Sequence, residues 1–407
     1  MTSQQVVIVG SGQGGFQVAA SLRDMGFDGH VTIVGEESGL PYQRPPLSKA
    51  FLTGQMQHEH LLLRPASFFE SRKISLIAPE RVQAIARDKR EVVLQSGRCF
   101  HYDHLVLATG ARARPVKVPG AEQQRVVLLR GLADAIQVRA WLQRAQRIVI
   151  IGAGFIGLEI AAIAAAMGIE TDVLDFAERG LKRSVSAFCA DFLATAHATA
   201  GVRFHFSTAI AHISGSDGIA TGVVSADGRH FAADMVLVGI GVEPNTELAQ
   251  EAGLEVSNGI VVDCHLQTAD PAISAIGDCA LYPSAFFPRP MRIESVQNAV
   301  DQARCVASRI AGKPASYHKV PWFWSDQGAY KLQIAGVASE ADQAVLRGDM
   351  STGKFSVFRF HNGRLTAVES INRPGDHLAA RKLIEAGTLL SHEQAADDNF
   401  KLNQRAA

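Results

Sequence analysis

The chain is 407 residues long and carries 40 Lys+Arg against 40 Asp+Glu, a formal net charge of zero; that balance argues against bulk nucleic-acid binding and against a polybasic membrane anchor. The length is enough for two or three domains with cores of their own, and no apolar run reaches the roughly 18 residues a membrane span needs. Cys99, Cys189, Cys264, Cys279 and Cys305 are scattered and form no C-x-x-C, so neither a redox dithiol nor a metal site is expected, and reduced thiols in a cytoplasmic protein are.

The chain opens on an organising unit. Val6–Val9 is a short β-branched run that predicts a buried parallel strand. Gly10, Gly12 and Gly15 follow in G-x-G-x-x-G spacing. The first glycine permits the turn, the second lets a pyrophosphate approach the backbone, and the third lets the next helix pack on the strand. That helix offers its N-terminal N–H groups to phosphate. A second strand, Val31–Val34, ends beside Glu36, twenty-one residues after Gly15, where an acid can accept from a ribose hydroxyl.

The segment Pro41–Lys49, PYQRPPLSK, holds three prolines and reads as a loop leading into a helix. Arg44 and Lys49 in it are either cofactor-facing or a solvated basic pair. A short helix at Ser67–Ser71 and strands at Ile74–Ile77, Val82–Ile85 and Glu91–Leu94 form an excursion. His101–Leu107 reads as one strand with its sharp exit at Ala108-Thr109-Gly110. A helix over Leu132–Arg144 comes next.

The opening design then repeats. Ile148–Ile151 is a strand, and Gly152, Gly154 and Gly157 reproduce the spacing of the first three glycines. The strand Thr171–Leu174 ends at Asp175, eighteen residues after Gly157. Two fingerprints in one chain imply two dinucleotides, one resident and one exchanging, and hence hydride transfer. A carboxylate at Asp175 repels a 2′-phosphate and favours NADH over NADPH, although Arg179, Lys182 and Arg183 lie nearby. Glu159, flanked by Leu158 and Ile160, is expensive in an apolar helix unless it is paired. It is either satisfied by backbone at the helix start or paired with Lys49 where the two cofactors meet.

Strands follow at Val202–Phe206, Ile219–Val224 and Met235–Val238, with a glycine-containing exit, GIGVEPN, at 239–245. Gly277-Asp278 places a carboxylate at a sheet's carboxyl edge, able to accept from sugar-alcohol hydroxyls. Glu294–Ala311 reads as a helix bearing Arg304 and Arg309. The final region, opened by Trp322, Phe323 and Trp324, predicts an antiparallel sheet from Lys331–Ala335, Gln343–Arg347, Ser356–His361 and Arg364–Ser370. A helix near Leu378–Ala386 closes it, and the tail from Asp397 is expected to fray.

Taken together, PYQRPPLSK at 41–49, ATG at 108–110, GFIGLE at 154–159, AIGD at 275–278, RIESVQNA at 292–299 and PWFWSDQ at 321–327 carry a resemblance over the whole length. The chain resembles the FAD-dependent NADH:ferredoxin reductases of oxygenase systems, the putidaredoxin reductase and biphenyl dioxygenase ferredoxin reductase family. The resemblance implies a glutathione-reductase-like α/β fold with two Rossmann-type dinucleotide-binding domains and a C-terminal α+β domain. The implied boundaries are 1–113 and 243–319 for FAD, 114–242 for NADH and 320–407 for the last.

By match with the motifs, Gly14, Glu36, Arg44, Lys49, Val82, Arg130, Asp278 and Val296 would contact FAD. Gly152 to Gly157, Asp175, Arg183 and Gly241 would contact NADH. Lys49 and Glu159 would be an ion pair beside the flavin, with Trp324 lining its outer face. Dioxygenase reductases carry a tryptophan where this chain has Val296, which tilts the expected terminal enzyme toward a monooxygenase. The implied partner is a 2Fe–2S ferredoxin, generally acidic, for which Arg304, Arg381 and Lys401 are the candidate contacts, with the reductase a monomer or weak dimer. Oxidases, peroxidases and disulfide reductases of this fold need a cysteine near the flavin, and residues 41–49 have none. A rubredoxin reductase and an NADH-sensing flavoprotein of the apoptosis-inducing type remain as alternatives.

Overall fold

A computed structural model describes residues 4–287 and 289–405. Its contacts divide the chain into two units. The first gathers the residues up to Gln43, His58–Arg112 and Glu243–Pro321; the second gathers Arg44–Gln57, Ala113–Val242 and Trp322 onward.

The first unit is built on a five-stranded parallel sheet in the order Ile273–Ala275, His104–Leu107, Gln5–Val9, His30–Val34, Ile74–Ile77. Val6, Val7, Ile8 and Ile33 are almost wholly buried, as strands covered on both faces must be. The helix Gln13–Asp24 packs on the helix Val296–Ile310, and Gly14 faces Ala299 there: a Cβ on it would sit 3.7 Å from the Ala299 methyl. Ser295 caps the second helix by accepting the Asn298 N–H at 3.1 Å, which starts it two residues later than the expected Glu294.

The expected single strand His101–Leu107 is two. Cys99–His101 pairs antiparallel with Glu91–Leu94, whereas His104–Leu107 enters the parallel sheet beside the first strand. Asp103 makes the break: its carboxylate accepts the Gln5 N–H at 2.7 Å and its own N–H donates to the Gln5 carbonyl at 2.8 Å.

The second unit repeats the parallel sheet in the order Val202–His205, Glu170–Leu174, Arg147–Ile151, Met235–Val238, Val126–Leu128. One face packs through Val149, Ile151, Val236 and Val238 on Ile213, Val223 and Phe231 of a three-stranded antiparallel cover. The cover's first strand, Ile210–Ser216, has no counterpart in the sequence reading. The unit's third part is an antiparallel sheet in the order Trp322–Gln327, Tyr330–Gly336, Arg364–Ile371, Lys354–His361, Gln343–Asp349, with the helix Pro374–Glu385 on it.

By their contacts, Arg44–Gln57 and the residues from Trp322 onward group with Ala113–Val242. The bonds that draw them there are specific. Arg44 donates to the Arg130 carbonyl at 2.9 Å, and Glu369 accepts the Ser186 N–H at 2.9 Å. The tail, expected to fray, is tied back to the fold. The buried Arg347 guanidinium is met by the carbonyls of Asp397, Asp398 and Phe400, and a short helix follows at Leu402–Arg405; the last two residues of the tail lie outside the described residues. No helix among the described residues is long and apolar enough to cross a membrane.

Candidate functional site

Each glycine turn stands at the carboxyl edge of its sheet, and its glycines have separable reasons. In the first unit Gly10 has φ +112°, and a Cβ on it would lie 2.2 Å from the Ala108 carbonyl oxygen. A Cβ on Gly15 would lie 1.9 Å from the Gly10 carbonyl oxygen. Both are glycine because the protein's own backbone leaves no room. Gly12 differs: its φ is −74°, open to any residue, and a Cβ would meet nothing among the described residues within 4 Å. The packing of the described residues does not require glycine there.

The second turn divides in the same way. Gly152 (φ +105°) and Gly157 are hemmed in by the carbonyls of Gly239 and Gly152, at 2.5 and 2.3 Å from an added Cβ. Gly154, with φ −84°, meets only the Gly239 oxygen, at 3.6 Å. Each turn therefore has one glycine, Gly12 or Gly154, that the described residues do not crowd.

Around the first turn, Glu36 follows the strand His30–Val34 and is exposed, with Arg81 at 3.5 Å. Asp278 sits in a tight turn at Gly277–Cys279, whose leading N–H is held by Gln302 Oε1 at 2.7 Å. Val82 is buried at the start of its strand, and Val296 opens the helix after the Ser295 cap.

Around the second turn, Asp175 is engaged by backbone. Its Oδ2 accepts the Ala153 N–H at 2.6 Å and its Oδ1 the Ala177 N–H at 2.7 Å. Of the three nearby bases, Arg179 braces its own loop through the carbonyls of Lys182 and Val185, and Lys182 pairs with Glu178 at 3.3 Å. Arg183 is exposed, its guanidinium 4.0 Å from a Cβ placed on Gly241.

Glu159 is 2 % exposed and accepts from four donors. Oε2 takes Lys49 Nζ at 2.7 Å and the Ser48 hydroxyl at 2.5 Å; Oε1 takes the Ser325 hydroxyl at 2.5 Å and the Asp326 N–H at 3.3 Å. Of the two readings left open for Glu159, the geometry gives the ion pair with Lys49. A carboxylate this deep is tolerated because each oxygen is met by a donor and one of them is a cation.

The strand Trp322–Gln327 divides its side chains by its period of two. Phe323, Ser325 and Gln327 face the helix Phe155–Ala166, Phe323 lying 4.7 Å from the Phe155 ring centroid. Trp322 and Trp324 share the other face, 5.7 Å apart, and the Arg381 guanidinium lies 4.7 Å over Trp322.

Comparison with known proteins gives the lineage. The sequence profile of the pyridine nucleotide-disulphide oxidoreductases matches residues 4–303, and that of the reductase C-terminal domain matches residues 322–406. The chain belongs to the pyridine nucleotide-disulphide oxidoreductase family. It is 48 % identical to rhodocoxin reductase of Rhodococcus erythropolis over 98 % of this chain and 93 % of that one. Its fold matches the ferredoxin reductase for the CYP199A2 system of Rhodopseudomonas palustris with TM-score 0.97 and 46 % identity, covering 99 % and 100 % of the two chains. It matches the covalent putidaredoxin reductase–putidaredoxin complex with TM-score 0.96 and 38 % identity, over 100 % of this chain and 98 % of that one.

As a member of this family the chain is an oxidoreductase with FAD and NAD(P)H as cofactors, in the glutathione-reductase-like α/β fold expected from its sequence. The disulphide of the family name has no counterpart in its cysteine pattern: all five thiols are free, and Cys189 and Cys279 are buried. No cluster of metal-ligating side chains occurs among the described residues.

Sequence reasoning missed Ser48, Ser325 and Gln327. Ser48 was in plain view beside Lys49, and the alternation of Ser325 and Gln327 in a strand would have put both on one face. The run WFWSDQ hid that alternation, because both faces carry aromatic rings. The three candidate ferredoxin contacts do not belong to one unit. Arg304 lies in the first, 3.3 Å from Asp301, while Arg381 and Lys401 lie in the second.

Proposed function

We propose that the protein is an FAD-containing reductase that takes electrons from NADH and passes them one at a time to a 2Fe–2S ferredoxin supplying a bacterial oxygenase, a monooxygenase rather than a ring-hydroxylating dioxygenase. The observation that carries this reading is end-to-end similarity, at 46–48 % identity, to rhodocoxin reductase and to the reductase of the CYP199A2 system. The putidaredoxin reductase complex supports a ferredoxin as partner. The preference for a monooxygenase rests on Val296, where the dioxygenase-type pattern has tryptophan, and on the CYP199A2 assignment of a close structural match.

Bound FAD supplies the conversion of a two-electron hydride donor into one-electron deliveries. The chain's residues bind, orient and charge. We assign Gly10, Gly12 and Gly15, with Gly14, Glu36, Val82, Asp278 and Val296, to FAD, together with Arg44, Lys49 and Arg130. Gly152, Gly154, Gly157, Asp175, Arg183 and Gly241 are assigned to NADH. Gly12 and Gly154 leave the pyrophosphates their space, and Glu36 and Asp175 accept from ribose hydroxyls. Lys49 sets a positive charge at the reacting ring, and Glu159 holds the ammonium in place. Trp324 belongs to the flavin's outer face, and Arg304, Arg381 and Lys401 attract an acidic ferredoxin.

The test is the rate of cytochrome c reduction by NADH with and without an added 2Fe–2S ferredoxin. A large ferredoxin-dependent stimulation is expected. Slow flavin reduction with no response to ferredoxin would instead favour a switch-like flavoprotein of the apoptosis-inducing type.

A further inference from the structure

The hydrogen bonds around Glu159 extend further than the site requires. Ser325 donates to Glu159 Oε1 at 2.5 Å, and its Oγ accepts Gln327 Nε2 at 2.7 Å. Gln327 Nε2 also points at the Phe155 carbonyl, at 3.4 Å. On the other side Gln327 Oε1 meets His197 Nε2 at 2.9 Å. His197 sits in the last turn of the helix Ala187–Thr199 and is 4 % exposed.

The acceptors at Glu159 and Phe155 set the direction of each bond in this chain. A carboxylate and a peptide carbonyl only accept. Glu159 therefore takes the Ser325 proton, and the Gln327 group facing both Ser325 and the Phe155 carbonyl is the NH2. That leaves Oε1 facing His197, so His197 Nε2 carries the proton. Burial lowers the tendency of this imidazole to take up a second proton, and the neutral Nε2–H tautomer is what the chain needs. Were the tautomer reversed, Gln327 would turn its amide to donate to His197. Its oxygen would then face the Phe155 carbonyl, and the Ser325 proton could be drawn away from Glu159.

We propose that His197 is a positioning residue for the Lys49–Glu159 pair, acting through Gln327 and Ser325. Its Nε2–H fixes the orientation of the Gln327 amide. The amide donates to Ser325 rather than accepting from it, and the hydroxyl proton is left to Glu159. Glu159 in turn keeps Lys49 in one place. The inference rests on the reading above, in which that pair serves the flavin.

Three substitutions and one spectroscopic measurement test it. His197→Phe removes the donor, and His197→Gln replaces it, since a glutamine amide nitrogen reaches about where Nε2 stood. Gln327→Glu presents only acceptors and draws the Ser325 proton to itself. In anaerobic stopped-flow reduction of the holoenzyme, His197→Phe and Gln327→Glu should each lower the limiting rate about tenfold, with the NADH dissociation constant unchanged. His197→Gln should restore most of the rate. In the purified 15N-histidine-labelled protein, the His197 signal, assigned by its loss in His197→Gln, should report the Nε2–H tautomer.

An Nδ1–H tautomer, or a parental rate in a folded His197→Phe, overturns the proposal. Equal slowing in His197→Phe and His197→Gln with lowered melting temperatures also overturns it, because packing alone would then account for the effect. If His197→Phe does not fold, the Gln327→Glu rate decides. Glu159→Gln serves as the control for the underlying reading. If it too reduces at the parental rate, the pair does not serve the flavin, whatever the His197 variants do.

Discussion

Asp175 Oδ2 accepts the backbone N–H of Ala153 at 2.6 Å, so the acid assigned to the coenzyme ribose also ties down the glycine turn. The Ala177 N–H on Oδ1, at 2.7 Å, completes the tie. Each oxygen keeps a further lone pair for a ribose hydroxyl. Asp175→Ala should therefore do two things. It should weaken NADH by about 1–3 kcal/mol and NADPH by less, because NADPH is also relieved of repulsion at its 2′-phosphate. It should also lower the melting temperature of the coenzyme-free protein, since two backbone donors lose their acceptor. Steady-state kinetics with both coenzymes and a thermal melt check this. Equal loss for the two coenzymes would remove the ribose role, and an unchanged melt would remove the structural one.

Gly12 and Gly15 make opposite predictions from neighbouring positions. Gly12→Ala adds a methyl where nothing among the described residues lies within 4 Å. The flavin-free variant should melt with its parent, yet retain little FAD through purification. Gly15→Ala drives a methyl to 1.9 Å from the Gly10 carbonyl oxygen and should cost at least about 1–3 kcal/mol of stability before any cofactor is considered. Flavin content and melts of the flavin-free forms separate the two. A Gly12→Ala protein that purifies fully yellow would show that the space is not the cofactor's.

His377 adds a pH dependence. It is 1 % exposed, packs against Trp322 with ring centroids 5.7 Å apart, and has no hydrogen-bond partner on either nitrogen among the described residues. Burial, and then the nearby Arg381 cation, push its pKa down to about 4. The unfolded chain protonates this histidine near 6.5, so between about pH 6.5 and 4 the unfolded state binds the extra proton and the fold loses stability as pH falls. His377→Phe should spare the protein up to about 2–3 kcal/mol of that loss. Urea unfolding of both proteins at pH 7.5 and 4.5 measures the difference; parallel losses would place the histidine's titration elsewhere.

What was legible in the sequence was local. A β-branched run, three glycines at fixed spacing and an acid after the next strand report on some thirty consecutive residues, and Gly10 to Glu36 and Gly152 to Asp175 stand in the fold as that pattern requires. What was not legible depends on partners far along the chain. The hydroxyl donors to Glu159 come from Ser48 and Ser325, 111 and 166 residues away. Glu369 holds the Ser186 hydroxyl and N–H from 183 residues away. The tail looked frayed because its residues are polar, yet its backbone carbonyls, invisible to composition, converge on Arg347. His101–Leu107 read as one strand because periodicity has no means of seeing that Asp103 bonds Gln5.

The central claim is that one polypeptide holds FAD and draws electrons into it from NADH. Anaerobic titration of the purified protein with NADH, followed at the flavin absorbance, tests it most directly. The account predicts a yellow protein with one FAD per chain that is bleached by about one equivalent of NADH and regains its colour on adding oxidised 2Fe–2S ferredoxin. A protein that binds no flavin when FAD is supplied, or whose bound flavin NADH leaves oxidised, would contradict it.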